Sequence, residues 1–197
     1  AVGVLRTAAE SGQVHAAAIH VQQGDEVFAS SFGAAKTSDS IFLLASISKP
    51  ITIAAVMTLF DQGKFRLDDV VQKFVPEFTG DGRDDITMRQ LFTHNSGLPD
   101  QLPQNSKLRA SHADLAAFVD GAMRTPLLFK PGTKYSYASM GILLASEVAR
   151  RISGKPIATL VDEVVCKPLR MKHSALGVGR LNAKALMRCQ VANAAPE

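Results

Sequence analysis

Ser46 and Lys49, three residues apart in Ala45-Ser46-Ile47-Ser48-Lys49-Pro50, are the residues of this chain best placed for covalent chemistry. A serine hydroxyl attacks a carbonyl when a neighbouring base takes its proton. A lysine serves as that base once desolvation or a nearby cation lowers its pKa. Residues three apart share one helical face, and the free N–H groups of a helix's first turn favour an oxyanion. Residues 51–60 are apolar almost all round and Gly63 follows, the pattern of a buried helix. The spacing therefore predicts a nucleophile and its base at the mouth of a central buried helix, partly shielded from water.

On its own Ser-x-x-Lys is a weak signal. With 15 Ser and 11 Lys in 197 residues, chance supplies about one such spacing. The plainer reading is a helix-capping serine followed by a solvated lysine. Discrimination has to come from the rest of the chain.

The elements that must position the pair follow from periodicity. Residues 2–13 read as a helix with Val2, Leu5 and Ala9 on one face and Gly12 as its stop. Residues 14–21 and 26–32 read as strands joined by Gln22-Gln23-Gly24-Asp25, a hairpin. His15 and His20 lie five apart in one strand and so face opposite sides, which argues against a shared metal or catalytic role. Residues 61–78 alternate turn signals with apolar anchors, and 79–85 read as a loop. Thr87-x-x-Gln90 is a capping box opening a short helix with Leu91 and Phe92 inward. His94, in Thr93-His94-Asn95-Ser96-Gly97-Leu98-Pro99, reads as a loop-fixing hydrogen bonder.

Residues 100–109 read as a polar loop. Ser111 then caps a helix running to about Arg124, with Asp114 at its third position and Thr125-Pro126 as its end. In the helix that follows Ser139, Met140, Leu144, Val148 and Ile152 form the apolar stripe, and Ser146, Glu147, Arg150 and Arg151 are expected to face water. Pro156 opens another helix with Ile157, Leu160, Val161 and Val164 inward. The remainder is less regular, with a short strand or loop near 174–178 and a tail, 191–197, that reads as flexible. One hairpin under so many helices wants further strands.

Composition narrows the function classes. Hydrophobic content of 46% and charged content of 20% are ordinary for a globular protein. The net charge of +4 comes without a Lys/Arg block, and the tyrosines are not interleaved with basic residues, which argues against nucleic acid as partner. No apolar run approaches the ~20 residues of a transmembrane segment. Cys166 and Cys189 are too few for a disulfide scaffold or a metal site and read as buried free thiols.

The two tyrosines, Tyr135 and Tyr137, both stand just before a helix. A phenol beside a Ser–Lys pair relays protons to a leaving group; in isolation it would read as an aromatic packing a loop. Five stretches, in order, carry a resemblance: residues 42–50; Leu67-Asp68-Asp69-Val70 with Val75-Pro76-Glu77-Phe78; residues 86–99; Pro131-Gly132-Thr133-Lys134-Tyr135-Ser136-Tyr137-Ala138-Ser139; and Pro168-Leu169-Arg170-Met171-Lys172. Together they resemble the serine β-lactamase and penicillin-binding-protein superfamily, in the branch of class C β-lactamases, D-alanyl-D-alanine carboxypeptidases and lactamase-fold esterases.

The resemblance implies an α+β fold, an antiparallel sheet flanked by helices (about residues 1–60, returning at 161–197) plus a mostly helical lobe of roughly residues 61–160. It implies a serine hydrolase acting through an acyl-enzyme, with Ser46 as nucleophile, Lys49 as base or proton shuttle, Tyr137 as proton relay and Ser139 as a substrate contact. The Ser46 N–H would supply half of an oxyanion hole. Neither metal nor organic cofactor is implied, and the compartment favoured is the periplasm or the exterior. Two departures stand out. The family's Tyr-x-Asn is here Tyr137-Ala138-Ser139, which shifts the expectation toward esters or D-Ala-D-Ala-like amides and away from efficient β-lactam hydrolysis. The third motif, Lys-Thr-Gly or its His-x-Gly equivalent, is absent, since Lys36-Thr37 is followed by Ser38 and precedes the nucleophile. The expectation is therefore of an N-terminal portion whose remaining strands come from a C-terminal companion segment or chain. Its small-molecule substrate would be an ester, an amide or, as a third reading, a β-lactam. The rival is a catalytically silent binding or scaffold protein, or an inactive fragment.

Overall fold

The computed structural model describes residues 1–37 and 40–188. Ser38 and Asp39, Cys189 and the tail 191–197 lie outside the described residues. Among the described residues the chain folds as two compact units, one of Ala1–Ala45 with residues 172–188, the other of Ser46–Met171.

In the first unit, helix α1 (Val2–Glu10) stops earlier than the predicted residue 13, because Ser11 and Gly12 turn the chain out and Gly12 adopts φ +75°. Strands β1 (Ala16–Gln23) and β2 (Glu26–Gly33) pair antiparallel, from Ala16 opposite Gly33 to Gln23 opposite Glu26. The expected four-residue turn shrinks to Gly24-Asp25, since Gln22 and Gln23 keep their partners across the ladder. Gly24, at φ +58°, takes the first central position, where a type II′ turn calls for glycine. His15 therefore sits just before β1 rather than inside it, and only His20 is in the strand. Of the strand or loop expected near 174–178, the structure has the loop, with bends at 176–178. The chain pairs later instead, where Ile41 and Leu186 form a parallel bridge.

The second unit is helical. Its members are α2 (Ser48–Asp61), α3 (Met88–Phe92), α4 (Asn105–Ala110), α5 (Leu115–Arg124), α6 (Ser139–Ser153) and α7 (Ile157–Val161). The core gathers Val56, Val71, Val75, Phe78, Ile86, Met88, Leu91, Leu98, Leu144, Val148 and Val161, each under 2% exposed. Thr87 and Gln90 form the expected reciprocal capping box at the start of α3. Leu91 is fully buried, while Phe92 is half-buried against the ring of Phe65.

Helix α6 is the hub, and α2, α3, α5 and α7 all pack on it. This overturns the expectation that Ser146 and Glu147 face water. Neighbours cover that side too, so both are buried, Glu147 at 8% exposure. The buried Glu147 carboxylate is compensated as burial demands. It accepts from Arg150 Nε at 2.7 Å and Nη2 at 2.8 Å, and from Arg151 Nε at 2.7 Å. Arg151 continues outward to Glu77.

Helix α2 departs the other way. Its sequence is apolar all round, yet full burial is confined to Thr52, Ala55, Val56 and Leu59, a single stripe, and Ala54 is exposed. A helix without an amphipathic pattern buries only the faces that neighbours reach; in this unit α6, α7 and the turn after α7 reach one side.

Two capping assignments also change. Residues 100–109 are not all loop, because α4 begins at Asn105 and Ser111 ends it. Asp114 is the cap of α5, its Oδ1 accepting the Ala117 N–H at 3.0 Å. Serine and aspartate cap about equally well, and the cap needs an extended backbone; Asp114 has it, at φ −69° and ψ 168°, whereas Ser111 stands at φ −86° and ψ 3°.

After α7 the helix widens. The Lys167 N–H bonds the Asp162 carbonyl, five residues back, at 2.9 Å, so residues Asp162–Cys166 form a π turn. The extra residue moves the inward positions to Val165 and Cys166 and leaves Val164 half-buried, in place of the predicted Val164.

Candidate functional site

Ser46 lies in a short 3-10 turn, Ala45–Ile47, that leads directly into α2. Ala45 holds φ +44°, an uncommon left-handed conformation for a residue with a Cβ. Strain of this kind concentrates where a side chain must be aimed. Lys49 is in the first turn of α2, followed by Pro50, whose missing N–H is tolerated there. The predicted pairing forms: Lys49 Nζ donates to Ser46 Oγ at 3.1 Å. The shielding is less than expected, with Ser46 exposed and Lys49 half-buried.

Tyr137 comes from the segment before α6, 91 positions after Ser46 in sequence, and joins the pair. Lys49 Nζ stands 4.8 Å from the centre of its ring. The Tyr137 phenol is held below its ordinary value, first by a hydrogen bond from Lys49, then by one with Ser46. Partial desolvation and the negative charge of Asp100 pull the other way. Ser46, Lys49 and Tyr137 thus form one cluster of hydroxyl, amine and acidified phenol.

Sequence reasoning placed His94 as a loop fixer, and the structure shows what it fixes. His94 follows α3 at φ +58°. Its carbonyl accepts the Ser136 N–H at 2.9 Å, and its Nδ1 accepts the Ala138 N–H at 3.1 Å. Its ring lies 4.7 Å from the Tyr137 ring and edge-on to that of Tyr135 at 6.0 Å. The rest of the 94–97 loop zips to the same neighbouring segment: the Asn95 carbonyl accepts from Gly132 N–H at 2.8 Å, and the Gly97 carbonyl from Leu128 N–H at 2.7 Å. Gly97, at φ +83°, comes so close that a Cβ would stand 2.4 Å from the Phe129 carbonyl oxygen.

Ser139 opens α6, and its hydroxyl is already engaged. Asp100 Oδ1 accepts both the Ser139 O–H and, at 3.1 Å, the Ser139 N–H. Asp100 escaped the sequence reading because its partner lies 39 residues away; the only local sign was an aspartate placed straight after the Gly97-Leu98-Pro99 break. A hydroxyl, an amine, a phenol and a capped helix start, arranged this way, can pass a proton from Ser46 and hold a substrate beside it.

Comparison with known proteins places the chain in a family. Esterase EstB of Burkholderia gladioli is 33% identical over 149 residues, which cover 68% of this chain and 38% of that protein. Penicillin-binding protein 4* of Bacillus subtilis (strain 168) is 27% identical over 194 residues, 93% of this chain and 42% of that protein. The chain therefore spans less than half the length of these curated relatives. Among solved structures, a D-stereospecific amidohydrolase from Streptomyces superposes with a TM-score of 0.72 at 26% identity, over 86% of this chain and 54% of that one. The Beta-lactamase family model matches residues 3–196, nearly the whole length, and the chain belongs to that family.

Proposed function

We propose that this chain carries the nucleophile of a serine hydrolase working through an acyl-enzyme on small esters or D-Ala-D-Ala-like amides. The observation that carries the reading is the 3.1 Å contact between Lys49 Nζ and Ser46 Oγ, with Lys49 facing the Tyr137 ring. In the reactive state Lys49 or Tyr137 is deprotonated. The Ser46 oxygen bonds to the substrate carbonyl carbon while its proton passes to that base. The tetrahedral oxyanion forms against the Ser46 N–H. When the scissile bond breaks, the alcohol or amine leaves with a proton from Tyr137. Water, deprotonated by the same pair, then releases the acid and restores Ser46. Ser139 Oγ, which donates to Asp100, keeps a lone pair to accept from substrate.

The test is intact-protein mass spectrometry on the native full-length protein, with and without a fluorophosphonate, a p-nitrophenyl ester and a chromogenic cephalosporin. The expected result is a stoichiometric adduct on Ser46 with the fluorophosphonate, lost in Ser46→Ala, and ester turnover faster than β-lactam turnover. No adduct and no turnover would put the silent binding protein in its place.

A further inference from the structure

Tyr137 is bracketed by a single residue. The N–H on its N-terminal side, from Ser136, bonds the His94 carbonyl, and the N–H on its C-terminal side, from Ala138, bonds the His94 Nδ1. We infer that His94 is the positioning residue for the Tyr137 phenol, clamping the backbone on both sides of it so that the phenol meets Ser46 and Lys49. This inference rests on the hydrolase reading above.

The clamp sets three chemical requirements at position 94. The backbone must accept φ +58°, which histidine and asparagine tolerate more readily than most residues. An acceptor must sit at the distance of Nδ1 from the backbone. That acceptor must be unprotonated, so the imidazole is the tautomer carrying its hydrogen on Nε2. Ala138 is 1% exposed, so without Nδ1 its N–H would find no water in exchange. The segment would then rotate to satisfy it, and Tyr137 would move with the segment. The ring of His94, packed at 4.7 Å on the Tyr137 ring, adds a lateral stop. A displacement of about 1 Å in a proton-transfer group costs on the order of a hundredfold in rate.

The experiment measures ester hydrolysis by the full-length protein in wild type, His94→Gly, His94→Asn, Tyr137→Phe and the double variant His94→Gly/Tyr137→Phe. Glycine keeps the left-handed backbone and removes only the side chain. Asparagine restores an oxygen at the place of Nδ1. We expect kcat to fall roughly 30- to 100-fold in His94→Gly, with KM changed less than about threefold. His94→Asn should recover to within about fivefold of wild type. In the Tyr137→Phe background the glycine substitution should lose less than about threefold, because the clamp acts through the phenol. Amide exchange at Ala138 should be fast in His94→Gly and slow in His94→Asn.

An unchanged kcat in His94→Gly, or an equal loss in both backgrounds, overturns the inference. Should His94→Gly fail to fold, His94→Asn against His94→Gln decides, since glutamine puts its oxygen one bond too far; equal rates overturn it. A wild-type protein that neither turns over ester nor takes a fluorophosphonate on Ser46 fails the hydrolase reading and takes the catalytic role of His94 with it. The Ala138 exchange data then decide the clamp's geometry alone.

Discussion

Asp100 caps helix α6 from outside that helix: one carboxylate oxygen takes both the backbone N–H and the hydroxyl of Ser139, the second residue after Tyr137. Helix starts leave N–H groups without intrahelical partners, and this one is served by a carboxylate that also faces the site. Asp100→Ala should destabilise the protein by about 0.5–2 kcal/mol, the usual range for a lost N-cap. Asp100→Asn keeps an acceptor and should melt within a few degrees of wild type in differential scanning calorimetry. Because the Asp100 charge opposes ionisation of Tyr137, either substitution should make that phenol more acidic, read as phenolate absorbance during an alkaline titration.

The enhanced acidity of the Tyr137 phenol has a named cause and therefore a named remedy. Lys49 is the largest contributor, through its hydrogen bond and its charge. Lys49→Ala should move the phenolate transition to higher pH, and Tyr137→Phe should abolish that transition. The sign also bears on activity. If a Tyr137 phenolate is the working base, the alkaline-favoured limb of kcat/KM should begin at higher pH in Lys49→Ala. A transition that stays in place in Lys49→Ala would show that the lysine does not set it.

Glu77 and Arg151 tie the 71–78 segment to α6. The guanidinium holds the Glu77 carboxyl down to about 2, below its usual 4.5. A carboxylate with a depressed folded-state pKa contributes stability that is fully present above the unfolded value and is lost as pH falls through the folded one. The window is therefore between 4.5 and about 2. Glu77 is half exposed, so solvent screening keeps the pair's worth to under about 1 kcal/mol. Wild type should lose melting temperature across that window more steeply than Glu77→Gln, and the two curves should converge at the acid end.

Gly141 lets α3 and α6 meet backbone to backbone. A Cβ there would stand 3.1 Å from the Leu91 carbonyl oxygen, with main chain rather than a movable side chain in the way. Alanine is the better helix former by about 1 kcal/mol, yet Gly141→Ala should lower stability by about 1–3 kcal/mol, the usual cost of overpacking. Denaturant unfolding gives the sign directly.

The Ser46–Lys49 pairing was legible because both residues lie on one local turn, and a local turn is what spacing encodes. The capping box of Thr87 and Gln90 was legible for the same reason. Tyr137 needed the resemblance, because nothing within one helix links it to Ser46. Asp100 was invisible, since its partner Ser139 is set by how the segment after Leu98 crosses the start of α6. Glu147 was misread because its sequence neighbours Arg150 and Arg151 suggest a wet face. Periodicity records where polar side chains fall but not how many helices surround them. Helix α2 shows the converse, a uniformly apolar sequence of which this unit covers only one side.

The π turn at Asp162–Cys166 has a consequence for length variation. Five residues there do the work of roughly four, so the helix already holds a spare residue, looped out sideways without breaking it. Such a segment is an expansion joint. Removing Val164, which is only half-buried, would let the turn close into ordinary α-helix while Leu160, Val161, Val165 and Cys166 kept their inward places. The same one-residue deletion inside α6 would swing every later side chain by about 100° and pull Glu147 away from Arg150 and Arg151 or bury the wrong face. Indels in this chain should thus be tolerated by position, cheaply beside Val164 and ruinously in the hub helix.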